Sequence, residues 1–437
     1  MMRAILATIL LLLVSANWGA PALAQGEPAL GIHLGVATCS GSSCHGAAER
    51  PRNSAVPGNE YLIWSTKDKH RNAYNVLLQD RALRMAHALG LPDAANQKMC
   101  LDCHADNVPA NLRGRQFQIA DGVQCETCHG GASRWLGSHI SGASHAQNIA
   151  AGLYPTNQPV ARAEKCLNCH LGDSAHYIDH RIYGAGHPRL AFELDTFTAI
   201  EPAHFVVDAS YIQRKGKVTD IQVWATGQAV TLVRRMDEVL DPKYAPKGMW
   251  PEFSMFDCQS CHHEYGTFER PTATGLGPGT VKFYDANEVM LKVAASRVAP
   301  GAANALSAHM MALHRATQSD WGAVQREAVG VRQAAQSLVT EFSRHDFTGD
   351  DMRAMANALI ALGAADNDSE FSHDEQITMA LEALTTGLKA SGDIEGQQGE
   401  TIGNAMSAVY TAFTSDKAVR HEDFVKALKE LQRTMRR

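Results

Sequence analysis

The chain has 437 residues, of which 45% are apolar, enough for a globular core, so disorder and collagen-like repeats are excluded. It has 40 Lys and Arg against 46 Asp and Glu, so the formal charge of −6 excludes a basic nucleic-acid-binding protein. Aromatic residues make up only 7%, whereas there are 10 cysteines and 20 histidines. Ten cysteines are too few for a disulfide scaffold of this length, which indicates that cysteine and histidine act together.

Residues 1–24 predict a secretory signal peptide. Arg3 supplies a positive charge, residues 4–14 form an apolar run, and residues 22–24 (ALA) offer a small-residue cleavage site. A retained membrane anchor is the less favoured alternative, because a span needs about 18 or more apolar residues. We therefore expect a mature chain that begins near Gln25, has no membrane span and works in an exported compartment, the periplasm of a bacterium.

Every cysteine belongs to a motif in which a histidine directly follows the second cysteine. The five motifs are Cys39, Cys44 and His45; Cys100, Cys103 and His104; Cys125, Cys128 and His129; Cys166, Cys169 and His170; and Cys258, Cys261 and His262. Two thiols attach to the vinyl groups of one haem, so they must lie close together, and the adjacent histidine then faces the iron. The sequence predicts five covalently bound c-type haems.

Two alternatives explain paired cysteines without haem. A zinc ribbon also uses C-x-x-C pairs, and an exported protein can oxidise such pairs to disulfides. Neither alternative predicts a histidine after the second cysteine in all five motifs. The first motif is longer than the others, and we expect its Ser40–Ser43 loop to bulge outward without separating Cys44 from His45.

The other 15 histidines (20 less the five proximal ones) supply candidates for the sixth iron ligand. Haem iron in electron carriers is usually six-coordinate, and no methionine recurs at a fixed offset, so we expect histidine on the distal side. The residues to which we assign this role are His33, His70, His139, His180 and His187. His309 and His314 lie on an alanine-rich helix and are predicted to be surface residues.

Periodicity predicts a mainly α protein with little regular sheet. We expect a pentahaem cytochrome c domain over residues 25–270, a Gly- and Pro-rich linker over residues 271–286, and an α-helical bundle over residues 287–437. The predicted helices are Asp220–Asp241 and residues 302–316, 321–342, 352–362, 376–388, 401–413 and 424–435. Ser372 and Thr348 are each predicted to begin a helix with a capping box, and residues 346–351 lack the spacing of a calcium-binding loop.

The region from about His33 to Tyr265 resembles the cytochrome c-554 family of multihaem cytochromes. The resemblance rests on four segments: residues 39–46, the Trp64…His70…Ala73 segment, residues 122–131, and the turn at residues 186–190. It implies closely packed haems that mostly have two axial histidines, and it implies a distal role for His70. The family type has four haems, whereas this chain has five motifs and a lengthened first motif.

Two functions stay open. The first is a periplasmic electron carrier whose partners are redox proteins; haem propionates add negative charge to an acidic chain, so we expect basic docking faces on those partners. The second is an oxidoreductase acting on a small nitrogen or sulfur oxyanion, such as nitrite, hydroxylamine or tetrathionate, at one five-coordinate iron. There Arg181 or Arg189 would bind the anion, and His180 or His187 would relay protons. We favour the carrier.

The helical bundle has three candidate roles. It covers the haem domain, or it forms a homodimer through its helices, or it transmits a signal in a haem-based sensor. The first two are structural, and we favour them over the sensor.

Overall fold

The structure is a computed structural model that describes residues 31–52, 54, 56–244, 252–262, 276, 280–365, 371–414 and 421–436. The predicted signal peptide and half of the predicted linker lie outside the described residues. None of the helices in the described part of the chain combines the length and apolarity that a membrane span requires.

The described residues from 31 to 219 form short helices joined by turns. Its α-helices are Glu60–Lys67, Ala73–Val76, Asp80–Ala88, Lys98–His104, Cys125–His129, Leu136–Ile140, His145–Ala151, Pro159–His170, His180–Gly184, Leu194–Ile200 and Ala209–Lys215. The 3-10 helices of the described chain are Val36–Thr38, Lys69–Asn72, Ala110–Leu112, Ile119–Asp121, Pro242–Tyr244, Phe253–Met255 and Cys258–Ser260. Helix His145–Ala151 shows why they are short: a Ser144 capping box begins it, and Gly152 ends it with a φ of 118°.

β-structure is almost absent from the described residues. Their β pairings are isolated bridges between His33 and Arg113, Gly172 and Tyr177, and Phe256 and Phe283. The prediction of a mainly α fold is therefore confirmed.

The short helices have little apolar core of their own. Their separate cluster of buried side chains is dominated by alanine and consists of Leu77, Ala82, Ala86, Ala94, Ala95, Leu101 and Ala105. In the same part of the chain, large apolar side chains are more than half exposed: Leu78, Ile140, Ile200, Val206 and Val207. Burial of protein against protein therefore does little to stabilise this region, and apolar surface remains available to cover a bound group.

Helix Asp220–Leu240 is the central element of the main core. Thr219 and Gln222 form a capping box at its start. Trp224, Ala225 and Leu232 are fully buried, and residues 221–233 are buried on every side because neighbours surround the helix. It packs against Pro159–His170 on the side of the short helices and against Trp321–Phe342 on the side of the bundle. The helix predicted over residues 220–241 is confirmed.

The C-terminal bundle has seven helices among the described residues. They are Ala286–Val298, Pro300–Ala316, Trp321–Phe342, Gly349–Gly363, Phe371–Ala390, Gly396–Thr414 and His421–Arg436. All six predicted segments are helical, and Ala286–Val298 adds one. The capping box of Thr348 and Asp351 is confirmed. The box predicted at Ser372 is wrong, because Ser372 lies inside a helix that already includes Phe371, and its hydroxyl donates to Asp257 at 2.8 Å.

The surface prediction for His314 is also wrong. Its side chain is 2% exposed, and its Nε2 lies 3.2 Å from a carboxylate oxygen of Asp285. The alanines of helix Pro300–Ala316 are the reason, because small side chains let neighbouring helices approach it from two sides. His309 is much more exposed than His314 and pairs with Glu327 at 3.0 Å.

Glu238, on the central helix, gives the fold a pH dependence. Its side chain is buried, and Oε1 has no hydrogen-bond partner among the described residues. Burial raises the pKa of Glu238 to about 8. The folded protein therefore favours the neutral acid, and stability falls as the pH rises from the ordinary pKa of 4.5 towards 8.

We predict that Glu238→Gln stabilises the protein more at about pH 9 than at about pH 5, because the neutral amide cannot ionise. Thermal unfolding followed by circular dichroism at the two pH values measures the difference. Glu341→Gln, on an exposed position of another helix, is the control and should give no such difference. An equal gain for Glu238→Gln at both pH values would contradict the prediction.

Candidate haem sites

Three of the five cysteine motifs form the end of an α-helix. Helices Lys98–His104, Cys125–His129 and Pro159–His170 each finish on the histidine of a motif. Cysteines three residues apart on a helix lie on the same face, so both thiols of a motif point to one side. All ten thiols are free.

The first and fifth motifs reach a similar compact form without an α-helix. In the first, the His45 amide donates to the Cys39 carbonyl at 3.2 Å, and the Cys44 amide donates to the Gly41 carbonyl at 2.9 Å. These bonds fold the longer Ser40–Ser43 segment into a turn. In the fifth, the His262 amide donates to the Cys258 carbonyl at 2.8 Å.

Each proximal histidine faces a second histidine from a distant part of the chain. Numbered by motif along the chain, the pairs and their ring-centroid distances are His45–His139 at site 1 (5.9 Å), His104–His187 at site 2 (6.4 Å), His129–His204 at site 3 (6.5 Å), His170–His70 at site 4 (6.2 Å) and His262–His180 at site 5 (6.2 Å). Five motifs thus produce the same spacing five times.

This spacing fits one metal ion between two imidazoles. A ligating nitrogen lies about 2 Å from a metal and about 1 Å from the centre of its own ring, so two imidazoles on opposite sides have centroids about 6 Å apart. Aromatic rings that pack directly on His170 are closer, with Phe192 at 5.2 Å and Phe197 at 5.0 Å. The residues present therefore fit a haem iron with two axial histidines at each site.

The paired rings have two kinds of relative orientation. The planes are nearly parallel at site 1, with an angle of 13°, and at site 5, with 26°. They are nearly perpendicular at sites 2, 3 and 4, with angles of 80°, 86° and 83°.

Hydrogen bonds at Nδ1 hold four of these imidazoles so that Nε2 is left for a metal. His45 bonds Glu60 at 3.0 Å, and His70 lies 3.0 Å from a carboxylate oxygen of Asp68. His104 donates to the Ala73 carbonyl at 3.0 Å, and His187 donates to the Pro188 carbonyl at 2.7 Å. Such outer hydrogen bonds fix both the tautomer and the ring orientation of a ligating histidine.

Burial keeps the deepest imidazoles neutral, which is the form that binds a metal. It lowers the pKa of His129 to about 3 and that of His170 to about 4. Burial also lowers the pKa of His104 and His187. These four histidines therefore remain available as ligands throughout the neutral and mildly acidic range.

A buried carboxylate brings the first site beside the third. Glu126, between the cysteines of the third motif, accepts hydrogen bonds from the backbone amides of Leu34 and Gly35 at 2.8 and 2.7 Å. The segment that leads into the first motif is therefore fixed to the third motif. As a result the sulfur atoms of Cys39 and Cys125 lie close together.

Further contacts link the remaining sites. The sulfur atoms of Cys103 and Cys169 lie close together, so site 2 is beside site 4. The carboxylate of Glu201 is 3.7 Å from His204 of site 3. It also lies within 4.8 Å of Asp68 and of His70, which belongs to site 4, so it links these two sites. His180 and His187 belong to one short helix and the turn after it, which joins site 5 to site 2.

Among the histidines assigned a distal role, His70, His139, His180 and His187 each lie opposite a proximal histidine. His33 does not share this arrangement: in the described chain each proximal histidine faces an imidazole other than that of His33, whose Nδ1 bonds Asp106 at 2.7 Å. His204 takes the fifth place instead. Sequence reasoning counted His204 among many candidates, but no local pattern separated it from His33, since the partner of each lies far along the chain.

Comparison with known proteins agrees with this geometry. Residues 38–130 match the sequence model of the family described as Cytochrome c554 and c-prime, and this segment contains the first three motifs. Over these residues the chain is similar to a family of c-type cytochromes. The resemblance to the cytochrome c554 family is confirmed over the matched segment. No curated protein and no solved structure matches the chain.

Proposed function

We propose that this cytochrome binds five haems, one at each site, and transfers electrons between redox proteins in the periplasm. The five facing imidazole pairs carry the proposal, because each site combines two thiols for attachment with two axial ligands. The bound haem supplies one-electron iron chemistry. The chain holds the ligands, keeps the deepest imidazoles neutral, and sets neighbouring sites side by side.

The proposed ligand sets use twenty residues. The proximal ligands are His45, His104, His129, His170 and His262, and the distal ligands are His139, His187, His204, His70 and His180 in the order of the sites. This assignment replaces His33 by His204, because the ring of His204 is the one that faces His129. The five cysteine pairs attach the haems.

The enzyme alternative requires an iron with an open position, and the geometry does not favour one. A second imidazole faces every proximal histidine, including His187 at site 2. The arginines considered for anion binding have carboxylate partners: Arg189 pairs with Glu375 at 2.6 Å, and Arg181 pairs with Asp179 at 3.1 Å. We therefore favour an electron carrier over an oxyanion reductase.

We propose two further features of the carrier. Its net charge of −6, to which haem propionates add, favours redox partners with basic docking faces and an association that weakens with salt. We divide the chain into a haem domain over residues 25–270 and a helical domain over residues 287–437. Helix Asp220–Leu240 belongs to the first and packs against helix Trp321–Phe342 of the second. This contact supports a covering role for the bundle.

We predict that the oxidised protein gives two rhombic and three strongly anisotropic low-spin ferric signals. Nearly parallel axial imidazole planes, as at sites 1 and 5, produce a rhombic signal, whereas perpendicular planes produce strong anisotropy. Electron paramagnetic resonance of the full-length holoprotein measures the ratio. A high-spin signal equal to one iron per chain would contradict the proposal that all five irons have two axial histidines.

We predict opposite outcomes for His204→Ala and His33→Ala. The first variant should keep five haems by mass spectrometry but convert one low-spin iron to high spin, because the thioether attachment does not depend on the distal ligand. The second, the matched control, should retain five low-spin irons. If His33→Ala produced the high-spin iron and His204→Ala did not, the ligand assignment of site 3 would be wrong.

A further inference from the structure

The sites differ in the charge of the group that holds an axial imidazole. At site 1 the Nδ1 of His45 bonds the carboxylate of Glu60, and at site 4 the Nδ1 of His70 lies beside the carboxylate of Asp68. At site 2 both imidazoles bond neutral backbone carbonyls, His104 to Ala73 and His187 to Pro188. Two sites therefore have an anion next to an axial ligand, and a third has neutral groups in the same role.

One short helix presents both carboxylates. Glu60 is the first residue of helix Glu60–Lys67, and Asp68 is the residue that ends it. The Gly58 amide donates to Glu60 at 3.2 Å, and the His70 amide donates to Asp68 at 2.9 Å, so each carboxylate is held by the backbone as well. Buried Trp64 fixes the helix between the two sites by donating from Nε1 to the Val123 carbonyl at 3.0 Å.

A carboxylate at this position favours ferric iron over ferrous iron. Ferric iron carries one more positive charge, so a nearby anion stabilises it more, and the hydrogen bond also makes the imidazole a stronger donor to the metal. A carbonyl oxygen provides only a dipole. Glu201 at site 3 is 3.7 Å from His204 Nδ1, beyond hydrogen-bond distance, so its effect is weaker.

We propose that Glu60 and Asp68 are positioning residues that lower the reduction potentials of sites 1 and 4 below the potential of site 2. The inference rests on the proposed ligation of five haems. Electrons that enter a partly reduced protein then reside at site 2 in preference to sites 1 and 4. The effect at site 4 is the larger, because the Asp68 side chain is 9% exposed and that of Glu60 is 17% exposed, so water screens Asp68 less.

The test compares Glu60→Gln and Asp68→Asn with the parent holoprotein in a reductive titration with dithionite, which supplies one electron per iron. Each amide keeps an oxygen that accepts from Nδ1 and removes only the charge. We expect one potential to rise in each variant: that of a rhombic ferric signal in Glu60→Gln and that of an anisotropic signal in Asp68→Asn. For Asp68→Asn we expect a change of at least tenfold in the ferric-to-ferrous ratio, or about 59 mV for a one-electron couple.

Two sets of variants separate charge from structure. Glu49→Gln removes an exposed charge from the segment before this helix and should leave all five potentials unchanged. Glu60→Asp and Asp68→Glu keep the charge and should remain close to the parent protein. Equal shifts in the charge-keeping and neutral variants would overturn the inference.

The parent protein provides a measurement that does not depend on these variants. His187→Ala and His139→Ala identify the ferric signals of sites 2 and 1 through the signal that each removes. In the parent titration the signal of site 2 should disappear at a higher potential than that of site 1. If five low-spin irons are present but the signal of site 1 disappears at the higher potential, this inference is overturned and the proposed function is not. Fewer than five low-spin irons would overturn the proposed function.

Discussion

The haem region is organised around five pairs of facing imidazoles whose ring centroids lie about 6 Å apart. In each pair one histidine belongs to a cysteine motif and the other comes from elsewhere in the chain, so each pair brings together two distant segments. His70 precedes the second motif but faces the fourth, and His180 precedes the fifth motif that it faces. These long-range pairings join short helices that share little apolar core, and we infer that haem binding stabilises this region where side-chain burial does not.

The C-terminal helices are stabilised differently. A continuous set of buried apolar residues extends from Ala163 to Met435, and the central helix at residues 220–240 runs through it. The fifth motif lies where the two kinds of structure meet. The Phe371 amide donates to Gln259 at 2.7 Å, and the Asp257 amide donates to the Lys282 carbonyl at 3.0 Å. Site 5 is therefore supported by contacts with helix Phe371–Ala390 and with the segment before helix Ala286–Val298.

The features that could be predicted from the sequence are those set by neighbouring residues. The cysteine motifs, the long central helix and the cap at Thr348 all depend on spacings of a few residues. The cap predicted at Ser372 is wrong because the helix already includes Phe371. A serine followed three residues later by a glutamate is compatible with a position inside a helix as well as with its start. Helix Ala286–Val298 was missed because it begins inside the segment interpreted as a linker.

The features that could not be predicted depend on partners far along the chain. His33 has the composition and location of a ligand, yet it bonds a carboxylate 73 residues away. His314 is buried because helices Ala286–Val298 and Trp321–Phe342 pack against its own helix, and its Nε2 bonds Asp285 on the preceding segment. No local pattern marks Glu60, Asp68 and Glu126, and only the fold shows that the first two bond His45 and His70 and the third fixes one motif against another.

The central claim is that all five irons have two axial imidazoles. Near-infrared magnetic circular dichroism of the fully oxidised holoprotein measures it most directly, because the ligand-to-metal band reports the pair of axial ligands and its intensity counts the irons that have them. The account predicts bis-histidine intensity for five irons per chain with no high-spin component. Intensity for four or fewer, or a band typical of another ligand pair, would contradict it.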